Sequence, residues 1–284
     1  MNNVKLSRRK KARIANQILL FILTVVMLYP ILWMVSSSLK DSSSVFVDAH
    51  SLWPKDWKIS NYIEGWQGFG GISFSTFFTN SFIIVTVATI GSIVFSTIIA
   101  YGFARLQFRG KTFWFICMMA TMMLPFEIIM VPQYIMFNWA GLINTYYPII
   151  LPYFFGYPFF VFLIMQFIRT IPRELDEAAY IDGCNKFTIF SRIIVPLVRP
   201  AVMTATIFSL YWRWDDFMGP LIYLNDPSKY PVSLALKLFS DPDNVTDWGQ
   251  MFAMSTASLI PIFIIFLFFQ RYIVEGISTT GLKS

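Results

Sequence analysis

Residues 177–200 read EAAYIDGCNKFTIFSRIIVPLVRP, a polar segment with a central glycine that lies between two hydrophobic stretches. Asp182-Gly183 predicts a helix end, because glycine adopts the left-handed cap without strain. Phe187, Phe190 and Ile194 then have the spacing of one apolar helix face. The segment therefore predicts a helix, a glycine turn and a second helix, which together suit a docking surface for a partner in the aqueous phase.

The residues around this segment indicate where the two helices begin and end. Pro172 is expected at the first helical position, where proline loses no needed N–H group. Glu174, Asp176 and Glu177 would follow in the first turns and complement the helix dipole. Pro196 is expected to stop the second helix before the next hydrophobic stretch. An interfacial amphipathic loop without a partner is the alternative interpretation.

The composition indicates a membrane protein. The chain has 284 residues, of which 56% are hydrophobic and 13% are charged, whereas soluble domains have about 25% charged residues. Six segments are long enough to cross about 30 Å of hydrocarbon, and continuous apolar runs of this length predict helices. They are Ala15–Val35, Phe77–Phe103, Thr112–Pro132, Tyr147–Ile168, Val198–Tyr223 and Met251–Tyr272.

The distribution of positive charge predicts the orientation. Sixteen of the 22 Lys and Arg residues lie on the side of both predicted termini, and six lie on the other side. By the positive-inside rule both termini are cytoplasmic, so the net charge of +6 reflects topology and not nucleic-acid binding. The first span is interpreted as uncleaved, because its apolar core of about 20 residues exceeds that of a signal peptide.

Cysteine and histidine are too few for several kinds of site. Cys117 lies within a predicted span and Cys184 in a predicted cytoplasmic loop, so no disulfide framework is expected. His50 is the only histidine, which leaves no His-rich metal site and no His base paired with a nucleophile. We therefore predict no catalytic residues and no bound metal, and a membrane-embedded enzyme is disfavoured.

The opening segment resembles the EAA loop of ABC importer permeases. The matching residues are Glu177, Ala178, Ala179, Asp182, Gly183, Phe190, Ile193, Pro196 and Pro200. Cys184 stands where that family usually has a small alanine. The resemblance implies that residues 171–197, named the coupling loop from here on, dock in a groove of a cytoplasmic ATPase. It implies ATPase-coupling roles for Glu177, Ala178, Ala179, Asp182, Gly183, Phe190 and Pro196.

Two further stretches resemble carbohydrate importers in particular. Residues 100–105 (AYGFAR) with 108–111 (FRGK) are similar to the second-to-third loop of carbohydrate-importer permeases. The C-terminal stretch from Gln270 is similar to that of the smaller permease of maltose-type importers. This similarity implies that a tail containing Gly276, Gly281 and Lys283 contacts the ATPase.

The resemblance also implies a set of partners. These are a second homologous permease, two ABC ATPase subunits, an extracellular or periplasmic solute-binding protein, and a sugar, expected to be an oligosaccharide. The chain has no GxxxxGK[ST] phosphate loop, so ATP and Mg²⁺ are expected on the partner ATPase and no cofactor on this chain. The implied location is the bacterial plasma (inner) membrane, with lipid around the spans.

Polar residues within the predicted spans are candidates for the substrate path, because charge in hydrocarbon is costly. Trp212, Trp214, Asp215 and Asp216 flank Arg213 in the fifth span. Tryptophan rings suit stacking on a sugar, and Arg213 is expected to pair with the carboxylates. The alternative is an interface belt, where Trp is enriched. Glu127 in the third span is a second candidate, with structural pairing as its alternative.

Together these observations predict an all-α polytopic membrane protein with six transmembrane helices. Its parts are a basic cytoplasmic N-terminus (residues 1–14), a permease domain (15–273, with its core at 77–273) and a cytoplasmic tail (274–284). An outer loop over residues 224–249 includes Leu234-Ala235-Leu236, which is expected either to pack on a partner or to be an exposed linker.

Two other functions stay open from the sequence. One is an ABC permease for a non-sugar solute, and the other is a self-sufficient secondary transporter or channel. A secondary transporter would predict inverted repeats and an intramembrane acid relay. No convincing repeat is visible, and Glu127 alone makes a poor relay.

Overall fold

A computed structural model describes residues 2–238 and 247–281, with side chains described for residues 13–237 and 247–270. The described residues form helices joined by short loops. In chain order the helices are α1 (Asn2–Ser37), α2 (Ser44–Val47), α3 (Ser60–Gln67), α4 (Phe74–Arg105), α5 (Lys111–Thr121), α6 (Phe126–Trp139), α7 (Tyr147–Ile150), α8 (Pro158–Thr170), α9 (Glu174–Ile181), α10 (Lys186–Leu197), α11 (Arg199–Trp214), α12 (Met218–Tyr223), α13 (Val232–Leu238) and α14 (Trp248–Gly281).

Four helical stretches within the described residues are long and apolar enough to cross a membrane. They are Arg13–Ser37, Phe74–Arg105, Tyr147–Thr170 and Trp248–Gln270. Two further helix pairs meet the same test together but are bent, α5 with α6 by 101° and α10 with α11 by 74°. The described part of the chain thus holds four candidate spans, or up to six if each bent pair crosses once.

The predictions of a continuous third and fifth span are wrong. Thr112–Pro132 is interrupted after Thr121, where Pro125 is extended (ψ 146°) and proline disfavours helical backbone at the residue before it. Val198–Tyr223 is interrupted after Trp214, and the short helix α12 follows as a separate element. The first break lies within a continuous apolar run, so the sequence pattern did not reveal it. The second coincides with Arg213, Asp215 and Asp216, the charged residues that interrupt the fifth span.

The chain divides into two compact units, each described by itself. The first comprises residues 1–71 and 236–259. The fully buried Asn61 organises its loops: its Nδ2 donates to the carbonyl oxygens of Ser38 (2.9 Å) and Lys40 (2.8 Å). A Cβ on Gly249 would lie 2.5 Å from that amide nitrogen, so only glycine fits there.

The second unit comprises residues 72–235 and 260–284, and its core lies where α4 packs against α8 and α11. Small residues permit the close approach. A Cβ on Gly91 would lie 2.5 Å from the Phe154 ring. Ser96 Oγ accepts from the Tyr157 backbone N–H at 2.9 Å, and Ser209 Oγ donates to Thr89 Oγ1 at 3.0 Å.

Hydrogen bonds hold residues 224–235 against the N-terminal part of α4. Asn80 Nδ2 donates to the carbonyl oxygens of Ser228 (2.8 Å) and Tyr230 (3.0 Å). Leu234 and Ala235 are buried within the chain, so the expectation that they offer a surface to a partner is wrong. Residues 239–246 of the predicted outer loop lie outside the described residues.

Candidate coupling site

Acidic residues at the start of helix α9 and a glycine after its end explain where the helix begins and ends. Glu174, Asp176 and Glu177 all lie in its first turn, as predicted. Pro172 precedes the helix instead of occupying its first position, so that detail of the prediction is wrong. Gly183 has φ 80°, which confirms the left-handed cap. The Cys184 N–H donates to the Ala179 carbonyl and the Gly183 N–H to the Tyr180 carbonyl, which is the Schellman arrangement.

Helix α10 begins at an asparagine cap and contains an unusual turn. Asn185 Oδ1 accepts from the Thr188 N–H at 2.8 Å, a bond that satisfies an otherwise orphaned donor. Residues Phe190–Ile194 form a π-helical turn. The helix ends at Leu197, one residue beyond Pro196, so the predicted stop before the next hydrophobic stretch is confirmed to within one residue. The 74° bend comes after Leu197, close to Pro200, which lacks the N–H that would continue the ladder.

The coupling loop is anchored to the C-terminal end of α4. Arg105 Nε lies 2.9 Å from Asp176 Oδ2, and both side chains are buried. The Arg105 guanidinium also donates from Nη2 to the Ile171 carbonyl at 2.8 Å. Tyr101, one turn earlier, donates to the Lys186 carbonyl at 3.3 Å and contacts the Phe190 ring at 5.1 Å between centroids. Both helices of the loop are therefore tied to one long span.

The coupling loop has one face that packs against the rest of the chain and another that is exposed. Ala179, Ile189 and Ile194 are buried against α4 and α8. Ile181 and Phe187 are 87% and 73% exposed, although both are large and apolar. Phe187 was predicted on the same face as Phe190 and Ile194, and this is wrong. Ile189 and Ile194 are five residues apart, and the i→i+5 bonding of the π turn brings such residues onto one face.

Five of the seven predicted coupling residues are exposed. Glu177, Ala178, Asp182, Gly183 and Pro196 are exposed. Ala179 is buried, so its small side chain serves close packing within this chain, and its role in ATPase coupling stays a prediction. Phe190 is half-buried against Tyr101. The exposed face therefore combines acidic residues with the bare apolar side chains of Ile181 and Phe187.

The predicted tail is described only in part. The backbone of Gly276 and Gly281 is helical, since α14 continues to Gly281. Lys283 lies outside the described residues, and the role proposed for the three residues stays a prediction.

The residues predicted for the substrate path contact different parts of the chain and do not form one cluster. Trp214 is buried against Phe78 and Phe82, and Trp212 stacks on Phe160 at 5.5 Å between centroids. Asp215 is exposed. Asp216 Oδ1 accepts from the Gly219 N–H at 3.1 Å and thus supports the start of α12.

Arg213 was predicted to pair with these carboxylates, and this is wrong for the part of the chain that the structure describes. Its guanidinium carbon lies 3.6 Å from the ring centroid of Tyr153, and Nη1 donates to the hydroxyl of that residue. The aromatic face provides the negative potential that the cation needs. Glu127 is exposed in the first turn of α6, beside the break in the third candidate span.

Sequence reasoning missed the residues that hold the coupling loop in place. Arg105 at the end of an apolar helix required a buried partner, because an unpaired buried charge is costly, and Asp176 supplies it. Asn185 is a favoured N-cap type and directly precedes α10. The role of Tyr101 had no signal in the sequence, since its hydroxyl reaches a backbone carbonyl 85 residues away.

Comparisons with known proteins agree with this architecture. Residues 92–279 match the family described as binding-protein-dependent transport system inner membrane component. The probable ABC transporter permease protein YurM of Bacillus subtilis is 36% identical over 94% of this chain and 87% of its own length. The arabinooligosaccharides transport system permease protein AraQ of Bacillus subtilis is 33% identical over 95% and 96%.

A solved structure has the same fold. It is that of a bacterial ABC transporter involved in the import of the acidic polysaccharide alginate, with a TM-score of 0.81 at 24% identity, over 91% of this chain and 95% of that one. The chain is a multi-pass membrane protein and belongs to the family of inner membrane components of binding-protein-dependent transport systems, the ABC transporter permeases.

Proposed function

We propose that the chain is one permease subunit of an ABC importer that moves a sugar, specifically an oligosaccharide, into the cytoplasm. Family membership and the name of the arabinooligosaccharides permease relative support the cargo class. The importer pairs this chain with a second homologous permease, two ATPase subunits that bind ATP and Mg²⁺, and an extracellular or periplasmic solute-binding protein. Both termini face the cytoplasm, in keeping with the excess of Lys and Arg on that side.

The observation that carries the proposal is the form of the coupling loop. Ile181 and Phe187 are bare apolar side chains on a polar surface, and exposed apolar patches rimmed by polar residues mark interaction sites. The same loop is fixed to α4 by the Arg105–Asp176 pair. A partner that binds the exposed face of the coupling loop therefore moves α4 together with the loop.

Coupling requires more than contact. The ATPases must prefer the docked loop in one of two arrangements of the spans, because a ligand shifts an equilibrium only through its differential affinity for the two states. ATP-driven closure of the ATPase pair then alternates the permease between inward-open and outward-open states, with the tail around Gly276, Gly281 and Lys283 as a further contact.

Reconstitution in liposomes tests the proposal. The chain is assembled with its second permease and ATPases, the solute-binding protein is added outside, and labelled arabinotriose is offered with or without internal ATP. We expect uptake only with ATP and all subunits present. Uptake by the chain alone would identify a secondary transporter, and ATP-driven uptake of amino acids but not of oligosaccharides would overturn the cargo.

A further inference from the structure

A cavity of about 640 Å³ lies beside the coupling loop and is lined by four cations and one acid. These residues, named the basic pocket, are Arg105, Lys111, Arg169, Arg173 and Glu174. We propose that the basic pocket binds the phosphate of an anionic phospholipid. The basic pocket lies at the start of the coupling loop and contains none of the residues assigned to ATPase coupling, so the proposal goes beyond the transport function proposed above.

The ends of three apolar helices place the pocket at a membrane surface. α4 ends at Arg105, α5 begins at Lys111 and α8 ends at Thr170, and all three residues line the cavity. Each helix belongs to a candidate span. The end of the apolar stretch marks the hydrocarbon boundary, and the polar headgroups lie directly beyond it. Lipid phosphates therefore lie at the level of the pocket.

Three of the four cations have no counter-charge in the described part of the chain. Arg105 is paired with Asp176, but Lys111, Arg169 and Arg173 lie within ion-pair distance of no described carboxylate. Glu174 is exposed and forms no ion pair there. The positive charges of Arg169 and Arg173 also act on the Lys111 ammonium. An anion between them would relieve this repulsion.

Two of these cations are already held in position. Lys111 Nζ donates to the Leu106 carbonyl at 2.8 Å, which leaves two of its three hydrogens for a ligand. The Arg169 guanidinium lies 6.0 Å from the centroid of the Phe115 ring, within the range of a cation–π contact. Preorganised donors lose less freedom on binding, so the pocket suits a fixed phosphate.

Lipid is favoured over a free anion by the surface next to the pocket. Phe113, Trp114 and Ile116 follow Lys111 on α5, and each is more than half exposed. Apolar side chains there suit acyl chains, and tryptophan is enriched at the headgroup level. Basic pockets between spans on the cytoplasmic side are known to hold anionic headgroups. A zwitterionic choline headgroup would add a further cation to the cluster.

Thermal unfolding of the purified full-length chain in neutral detergent tests the proposal. Short-chain phosphatidylglycerol, phosphatidylcholine of the same chain length and inorganic phosphate are titrated separately, and the shift of the unfolding midpoint is followed. We expect phosphatidylglycerol alone to raise the midpoint. R169Q/R173Q should raise the half-saturating concentration by about fivefold for each cation removed. R109Q is the matched control, because Arg109 lies between the pocket residues Arg105 and Lys111 in the chain but does not line the cavity.

Each outcome decides for or against the lipid. Equal shifts with the two lipids, or an equal phosphatidylglycerol response in R169Q/R173Q and wild type, would overturn the proposal. If inorganic phosphate shifts the unfolding midpoint as much as phosphatidylglycerol does, the pocket binds free phosphate and the lipid proposal is overturned. Each variant is compared with its own lipid-free midpoint, so a stability change in the variant does not hide the result. If R169Q/R173Q does not fold, the single variants K111Q and R173Q give the same test.

Discussion

Arg105 and Asp176 join the end of α4 to the first turn of α9 through a 2.9 Å contact between Nε and Oδ2. The two side chains are only 5% and 14% exposed. Of the ion pairs among the described side chains, this one alone connects a candidate span with the coupling loop. Since Arg105 also binds the Ile171 carbonyl, one guanidinium fixes both the entry to the loop and its first helix.

Removal of Asp176 tests this link. Asp176→Ala leaves a buried guanidinium without a counter-charge, and breaking a buried pair on one side costs about 3–5 kcal/mol. We expect a lower unfolding midpoint and weaker stimulation of the ATPase by the loaded solute-binding protein. The control is Glu174→Gln, which changes an exposed carboxylate of the same turn that forms no ion pair. Equal midpoints for the two variants would contradict a structural role for the pair.

Variants of two isoleucines in the coupling loop test ATPase docking and folding independently. Ile181 is 87% exposed and Ile189 is fully buried. Ile189→Ala should destabilise the chain by about 2–5 kcal/mol, the usual cost of truncating a buried aliphatic side chain. Ile181→Ala should leave stability within about 0.5 kcal/mol but reduce the amount of ATPase that co-purifies with the permease. Normal co-purification with Ile181→Ala and with Glu177→Lys would refute the docking surface.

Gly183 tests the turn between the two helices. Its φ of 80° is strained for any residue with a Cβ, and left-handed backbone costs about 1–2 kcal/mol. Open space surrounds the position, so Gly183→Ala should lose stability through the backbone alone. Gly183→Asn should lose less, because asparagine tolerates this conformation, and Gly183→Pro should abolish ATPase recruitment.

The control for the turn is Gly102, within α4. A Cβ there also meets nothing within 4 Å, but the backbone is helical, where alanine is favoured over glycine by roughly 0.5–1 kcal/mol. The two Gly→Ala changes should therefore shift the unfolding midpoint in opposite directions. A shift in the same direction would show that backbone conformation does not decide the effect at Gly183.

Local chemistry explains why much of the coupling loop was predictable. The acidic first turn of α9 and the glycine turn depend on neighbouring residues, and both are confirmed. The buried face of α10 depends instead on a π-helical turn, which has no reliable sequence signal, and so Phe187 was assigned to the wrong face. The break near Pro125 was missed because the residues on both sides of it are apolar, and a hydropathy pattern does not register a change of direction.

Long-range partners set the other limit of prediction. Arg213 adjoins two carboxylates in sequence, yet its guanidinium lies over Tyr153, which is 60 residues away. Likewise the Tyr101 contact with the Lys186 carbonyl connects elements that are distant in the chain. Such contacts follow from how α4, α8 and α11 pack, and no pattern of spacing along the chain encodes that packing.

Asp226 makes the stability of the loop after α12 depend on pH. Hydrogen bonds from the Ser228 hydroxyl (2.7 Å) and backbone N–H (3.0 Å) lower the pKa of this carboxyl below its ordinary value of 3.8. A lowered folded-state pKa contributes stability above pH about 4, and that contribution is lost as the pH falls through the folded pKa. Asp226→Ala should therefore be less stable than wild type at pH 7, with a difference in stability that narrows as the pH falls below about 4. A gap independent of pH would contradict the titration.

Trp214 and Asp215 distinguish a structural from a transport role at the end of α11. Trp214 is 6% exposed and packs edge-on against Phe82 at 5.2 Å between centroids. Trp214→Ala should cost about 3–5 kcal/mol, so reduced uptake in this variant would follow from reduced folding. Asp215 is exposed, and Asp215→Asn should not change the unfolding midpoint. If Asp215→Asn lowers oligosaccharide uptake at unchanged ATPase assembly, the residue belongs to the transport path, because no stability effect accounts for the loss. Unchanged uptake would show that Asp215 is not part of the transport path. The end of α11 would then have only the structural role that the packing of Trp214 gives it.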